Sequence, residues 1–598
     1  MSSVYQQTFQ LRLITFAINF TMLNLTISFQ KSFKHFIDFE LTFVAKRASD
    51  LSIQLPAWRP GRYELADFSK NIQKFEVFDE QGKPIKFKKV TKDNWYIDTN
   101  WENQEIETKE ITISYNFYAN KLDAGSTYLD DKQLYINPVN CCFYIVGKEN
   151  QEYKIDLKIP EDYQLASGLK QISKHSLLAQ NFDQLAECPI IASASLSHYK
   201  YEVNNIPFHI WIQGESELDA NKMCQDFKDF TVEQINCFGS FPVKDYHFLF
   251  QLTPYNSYHG VEHTNSTVIL LGSKNQVLKE RYEALLGICS HELYHTWNIK
   301  SIRPIEMFPY DYSKENYSRL GYVAEGVTTY MGDLMLKRAK VFSWDQFKEK
   351  INQNIKRHYE NDGRFNLSVS ESGFDSWLDG YSLGIPNRKT NIYTEGSLNM
   401  LMIDLAIINH SNRKYSLNNV MKELYENWGL KNKGFNEKEF VDLCVKYGGD
   451  SVSQIIKDHV YDTIDYTNSL KQNLTHVGIE LKPTLNSSLS ARFFGFICLE
   501  ENKKMIVKKI QENALIEQHE IAVDDELLSI DKHLVNSENI NKLLENKEEV
   551  SLKFKNKFST KDIKLKTNSY YYNYYQLEKI DSPTSDQVQS FNFWLNEK

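Results

Sequence analysis

Glycine and proline are scarce, 24 and 14 residues in a chain of 598. That excludes a collagen-like or low-complexity architecture. Cysteine is scarce too: the eight residues show no C-x-x-C spacing, which excludes a disulfide framework and a zinc-ribbon or thioredoxin-like site. Buried, reduced thiols are the expectation. Neither sign of charge dominates. The 69 Lys and Arg against 78 Asp and Glu leave a net charge of −9, without the basic excess of a general nucleic-acid binder. Long apolar runs are missing as well. The one candidate, residues 13–25, contains Asn19 and Asn24 and is shorter than the ~20 residues that span a bilayer, so no integral membrane span is expected. Only Arg12 precedes it as a positive side chain, and no small-x-small cleavage site follows. Residues 1–21 are therefore read as an upstream extension before Met22, or as a signal-like or membrane-associated segment. A cytoplasmic location is expected, and a periplasmic or membrane-associated one if that segment is a targeting signal.

What is present is ordinary globular material, 41% hydrophobic and 25% charged, enough for roughly three to five domains at ~100–200 residues each. Residues 22–200 carry short alternating runs such as Ile37-Asp38-Phe39-Glu40-Leu41-Thr42-Phe43 and Tyr153-Lys154-Ile155-Asp156-Leu157, separated by turn residues. This pattern predicts a β-sandwich-like domain. Strand-like segments continue at 202–212 and 245–272. From about residue 276 the apolar period changes to that of helices, with Leu285, Leu286, Ile288, Cys289 and Leu293 on one stripe. Further helices are predicted at 318–339, 396–408, 418–428 and 437–447, and residues 476–575 return to short strands.

The stretch that carries chemistry is His291-Glu292-Leu293-Tyr294-His295. Two histidines at i and i+4 stand one turn apart on one helix face and can share a zinc ion. Glu292 then sits beside the metal, placed to take a proton from the attacking water and pass it to the leaving amine. A hydrolytic site needs a third protein ligand, for which Glu306, Glu315 and Glu325 are available downstream. Glu325 lies within an apolar helical segment, where a carboxylate is costly unless paired or coordinated, and is preferred.

His291-Glu292-Leu293-Tyr294-His295-Thr296-Trp297-Asn298-Ile299-Lys300-Ser301-Ile302-Arg303-Pro304 resembles the signature of the glycyl aminopeptidases, metallopeptidase family 61. Ala324-Glu325-Gly326 is similar to their third-ligand segment. Leu55-Pro56-Ala57-Trp58-Arg59-Pro60-Gly61-Arg62-Tyr63 is similar to their N-terminal β-domain motif. The resemblance implies a gluzincin with a thermolysin-like zinc peptidase core, one Zn2+ on His291, His295 and Glu325, and removal of a small first residue, Gly or Ala, from peptides. His259-Gly260-Val261-Glu262-His263 matches the family's Gly-Gly-Leu-Glu-His with His259 in place of the first Gly. It implies that Glu262 holds the substrate's free α-amine, with His263 beside it as a substrate-binding candidate. Tyr393, in Asn391-Ile392-Tyr393-Thr394-Glu395-Gly396, matches a tyrosine that donates to the developing oxyanion. Trp297, Asn298, Lys300 and Arg303 are read as structural. Residues around Phe494-Gly495-Phe496 resemble the opening of a PDZ carboxylate loop, although Asp524 and Ala514-Leu515-Ile516 depart from that pattern.

The expected fold class is thus multidomain α+β: an extension at 1–21, a β domain at 22–200, a mixed then helical zinc peptidase domain at 201–475, a PDZ-like β-rich domain at 476–580 and a tail at 581–598. Expected partners are peptides with a free N-terminus and, at the PDZ-like domain, C-terminal peptide tails; nucleic acid is not expected. The rival readings are an endopeptidase with the same zinc chemistry and a catalytically inactive PDZ-type scaffold.

Overall fold

The structure, a computed structural model, describes residues 22–214, 219–273, 281–382, 384–567 and 570–597. The expected extension at 1–21 lies outside the described residues. The chain divides into two compact units, 1–317 with 425–434, and 318–424 with 435–598.

The first unit opens on a seven-stranded sheet centred on Leu23–Ser28, Phe36–Lys46 and Thr108–Tyr118. In Phe36–Lys46 the alternate residues Ile37, Phe39, Leu41, Phe43 and Ala45 are buried, as a strand with one covered face requires. A four-stranded sheet containing Leu51–Gln54 and Asn94–Ile97 covers that face. The two layers meet through aromatic rings: Phe75 lies 5.1 Å from Trp95, and Phe143 lies 4.9 Å from Tyr115. This is the β-rich domain that the alternating runs predict. A second four-stranded sheet, including Gln133–Ile136 and Ile190–Ser193, packs on a five-stranded sheet ordered Ser197–Val203, Ile206–Gln213, Tyr246–Thr253, Ser266–Gly272 and Ser257–Glu262. Their shared core holds Tyr135, Ala166, Ile191, Leu249, Val261 and Val268. Tyr246–Thr253 and Ser266–Gly272 are buried at every position, so they read as continuous apolar runs and not as alternating ones. Ser257–Glu262 lies at one edge of this sheet, antiparallel to Ser266–Gly272.

The second unit is helical and then β-rich. A π-helical turn, Tyr322–Val327, runs into the helix Thr328–Arg338. The helix Thr394–His410 is buried along nearly its whole length. It crosses the π turn where Gly326 and Gly396 meet, since a Cβ on either would overlap the other's backbone. Residues 496–566 form a six-stranded sheet around Phe494, Phe496, Val507, Ile530, Leu552 and Phe554. The segment expected as a tail contains a helix, Ser585–Leu595. Thr584 and Gln587 close a capping box at its start, and Trp594 buries its indole, donating to the Tyr330 hydroxyl at 2.8 Å. No helix among the described residues is long and apolar enough to cross a membrane.

Candidate metal centre

The helix Tyr282–Tyr294 carries His291 and Glu292 on its last turn, and His295 caps its C-terminal end. Leu285, Leu286, Cys289 and Leu293 bury one side of it. Gln234 donates to the Ser290 carbonyl at 2.9 Å, and the Tyr246 hydroxyl donates to the Glu292 carbonyl at 3.2 Å. Past the helix end, Trp297 is fully buried against Phe238 with ring centroids 4.7 Å apart, and its indole N–H reaches the Ser240 carbonyl at 3.0 Å. The chain leaving His295 is therefore held from several sides.

His291 and His295 converge, with Nε2 atoms 3.0 Å apart. His295 Nδ1 lies 2.7 Å from the Asn298 carbonyl oxygen. A carbonyl only accepts, so Nδ1 carries the proton and Nε2 keeps its lone pair. Two imidazole nitrogens presented from one helix face fit a zinc ion, which takes neutral imidazole readily. Carboxylate oxygens of Glu262 and Glu292 and a ring nitrogen of His295 all lie within 4.8 Å of one another.

Glu292 is fixed by the edge strand. Gly260 lies so close that a Cβ there would stand 2.8 Å from the Glu292 Cδ. Val261, pointing the other way, enters the core between the sheets, and so the strand alternation aims Gly260 and Glu262 at the helix. Glu262 is buried, and Gly61 packs against its carboxylate from the N-terminal β domain. Gly61 has φ +76°, the left-handed region that favours glycine. Its loop is pinned by Trp58, fully buried, which donates to the Asp311 carbonyl at 2.8 Å and meets the Tyr310 ring edge-on.

Sequence reasoning missed a charge cluster behind Glu262. Lys300 Nζ lies 2.9 Å from Glu187 and 3.9 Å from Glu262, with side-chain exposure of 1% for both Lys300 and Glu187. Burial alone would push the Lys300 ammonium down, but Glu187, then Tyr310 and Glu262, outweigh it and hold it above its ordinary value. Arg303 lies 4.0 Å over the Tyr310 ring. Glu187, Lys300 and Glu262 together carry one net negative charge, the complement of an ammonium. The signal available was Glu187 itself, a carboxylate beside Cys188-Pro189-Ile190 in an apolar run. His263 is buried, and burial, Lys300 and Arg59 push it well below its ordinary value, so it is neutral at pH 7. That leaves it unable to offer charge to a substrate.

In the second unit Glu325 is buried within the π turn, a distortion that recurs at functional sites. Tyr393 precedes Thr394–His410 and is half-buried, its hydroxyl 3.4 Å from that of Tyr381. Asn391 Oδ1 accepts from the Tyr393 and Thr394 amides at 2.9 and 3.0 Å, which fixes the backbone of this turn. Glu395 accepts from the Asn391 amide and faces His358 at 3.3 Å. Glu306, one of the two other candidate ligands with Glu315, is exposed on a short 3-10 turn.

Two family models match the chain. One is the Peptidase M61 N-terminal domain, at residues 24–194; the other is the M61 glycyl aminopeptidase, at residues 284–399, a span that contains His291, Glu292, His295, Glu325 and Tyr393. No curated protein matches. Among solved structures, an aminopeptidase N family protein from Idiomarina loihiensis superposes with a TM-score of 0.86 at 23% identity, covering 96% of this chain and 100% of its own. The two share a fold over their whole lengths. An M1 zinc metallopeptidase from Deinococcus radiodurans aligns at a TM-score of 0.45 and 9% identity, over 75% of this chain and 95% of its own. With its N-terminal segment matching the Peptidase M61 N-terminal domain and its catalytic segment matching the M61 glycyl aminopeptidase, the chain is a zinc metallopeptidase of the aminopeptidase class.

Proposed function

We propose that the protein removes the N-terminal residue, small ones such as Gly or Ala foremost, from peptides. His291, His295 and Glu325 hold one zinc ion. Burial of Glu325 in an apolar helical segment supports its place as third ligand, because such a carboxylate is costly unless coordinated or paired. The zinc, when bound, supplies Lewis acidity toward the scissile carbonyl and the attacking water. Glu292 takes the proton released in that attack and gives it to the leaving amine. Glu262 receives the substrate α-ammonium, and Tyr393 donates to the oxyanion that develops on the carbonyl.

The observation that carries this reading is the meeting of Glu262, Glu292 and His295 within 4.8 Å, with Glu262 backed by the buried Lys300–Glu187 pair. An endopeptidase has no use for a buried carboxylate one step from the base, since its substrate presents a neutral amide there. The functional division proposed is a β domain at 22–200, a catalytic domain at 201–475 and a PDZ-like domain at 476–580. Support for a packing role of that last domain comes from its ties to the helices, where Asn352 accepts from the Leu577 amide at 2.9 Å and Glu360 from Asn486 at 2.9 Å. The test is zinc content measured beside hydrolysis of Gly- and Ala-arylamides. One zinc per chain with chelator-sensitive turnover supports the reading; turnover in metal-free protein overturns it.

A further inference from the structure

A cavity of about 500 Å³ opens in the N-terminal β domain, with Arg59, Arg62, Lys121, Asp123 and Tyr118 in its wall. Its size is that of a small-ligand pocket. The acids around it are already engaged. Asp123 pairs with Lys121 at 2.8 Å and accepts from the Gly125 amide, and Glu64 pairs with Arg62. Arg59 is different. Its residue exposure is 5%, yet among the described residues its guanidinium makes one hydrogen bond, to the Pro60 carbonyl at 3.2 Å, and has no carboxylate within 4.0 Å. A guanidinium offers five donors and stays charged, and the Arg59 donors that no protein group takes up keep contact with the cavity's solvent, where an anion can reach them. The group lies over Gly125, where any Cβ would collide with it.

The position of Arg59 relates it to the amine site. It stands two residues before Gly61, which packs on the Glu262 carboxylate. Its charge is also felt on both sides of Glu262: burial first and then Arg59 push His259 down to about 4, and burial, Lys300 and Arg59 lower His263.

We propose that Arg59 is a specificity residue that receives the side-chain carboxylate of an N-terminal Asp or Glu, giving the enzyme an acidic substrate class beside small residues. The proposal rests on Glu262 holding the α-ammonium of the same residue. Planar, bidentate pairing with a carboxylate suits a guanidinium left with free donors. Glutamine is the matched control, equal in size and without charge.

The experiment compares kcat/KM for Glu-, Gln-, Asp- and Gly-p-nitroanilides with the full-length zinc enzyme. A Glu/Gln ratio of about tenfold or more is expected for the native protein. Arg59→Met should bring the ratio to one or below, and Arg59→Lys should retain part of it. Gly125→Ala, which displaces the guanidinium without removing it, should also lower it. A native ratio at or below one overturns the proposal, as does an unchanged ratio in Arg59→Met; the native ratio decides even if the variants fail to fold. Inorganic phosphate competing equally against Glu and Gly substrates, with no Glu/Gln discrimination, assigns the cavity to a free anion and also overturns it. Failure to cleave any of the four free-amine substrates would instead strike the aminopeptidase reading itself.

Discussion

Gly260→Ala isolates the placement of the general base. Gly260 does not have a positive φ, so alanine is free to adopt its backbone conformation. The added Cβ would stand 2.8 Å from the Glu292 Cδ and 3.0 Å from the Ile288 Cδ1, closer than ordinary contact at 3.4–4 Å. The Glu292 carboxyl group must therefore recede by about 0.6 Å or more, because strand Ser257–Glu262 is held by its pairing with Ser266–Gly272. Catalytic geometry tolerates displacements of about 0.5 Å, and ~1 Å can cost ~10²-fold. A 10²-fold loss is about 2.7 kcal/mol in the activation barrier. The atoms nearest this Cβ belong to Glu292 and Ile288, so zinc stoichiometry should stay at one per chain. The assay is kcat on Ala-p-nitroanilide with zinc measured by plasma mass spectrometry, and Glu292→Gln as the reference for complete loss of the base. Native kcat in fully metallated Gly260→Ala protein would refute the placement of Glu292 against this strand.

Other outcomes follow from the same geometry. Glu292→Gln should keep zinc and lose ~10²–10⁴-fold in rate, whereas Glu325→Ala should lose zinc affinity and Glu306→Ala neither; metal content of the three variants separates base from ligand. Lys300→Met should destabilise by ~3–5 kcal/mol, because it strands Glu187 and Glu262 without their cation. Adding Glu187→Gln should recover part of that in thermal melts, and no destabilisation in the single variant would contradict the pairing. Burial depresses His247 to about 3 and His259 to about 4, so both fold neutral. A depressed folded value means stability is fully present above the unfolded value of ~6.5 and is lost as pH falls toward 4 and 3, with contributions on the order of 3 kcal/mol for His259 and 5 kcal/mol for His247 at 1.36 per unit. The melting temperature should drop across that window, less steeply in His247→Phe.

The zinc-motif helix was legible because two histidines at i and i+4 leave one arrangement on a helix, and because Leu285, Ile288, Cys289 and Leu293 mark its buried stripe. The sandwich strands were legible from alternation in runs such as 37–43. Long-range pairs were not: Lys300 and Glu187 are 113 residues apart, and each alone reads as an ordinary charge. Arg59 stands within the motif 55–63, yet that no carboxylate among the described residues pairs with it is a property of the folded cavity. The helix Ser585–Leu595 had a signal that went unused, Thr584-Ser585-Asp586-Gln587 followed by Phe591, Trp594 and Leu595 at helical spacing.

Recognition of a free N-terminus by Glu262 is the claim on which the aminopeptidase reading turns. Its most direct test is cleavage of one Ala-initiated peptide and its N-acetyl twin by the native enzyme and by Glu262→Ala, followed by mass spectrometry. Acetylation should nearly stop the native enzyme at the first bond. Glu262→Ala should lose ~2–5 kcal/mol in kcat/KM on the free peptide, the usual cost of leaving one member of a buried charge pair alone, and far less on the acetylated one. Rapid internal cleavage of the acetylated peptide by the native enzyme, unaffected by Glu262→Ala, would contradict the account.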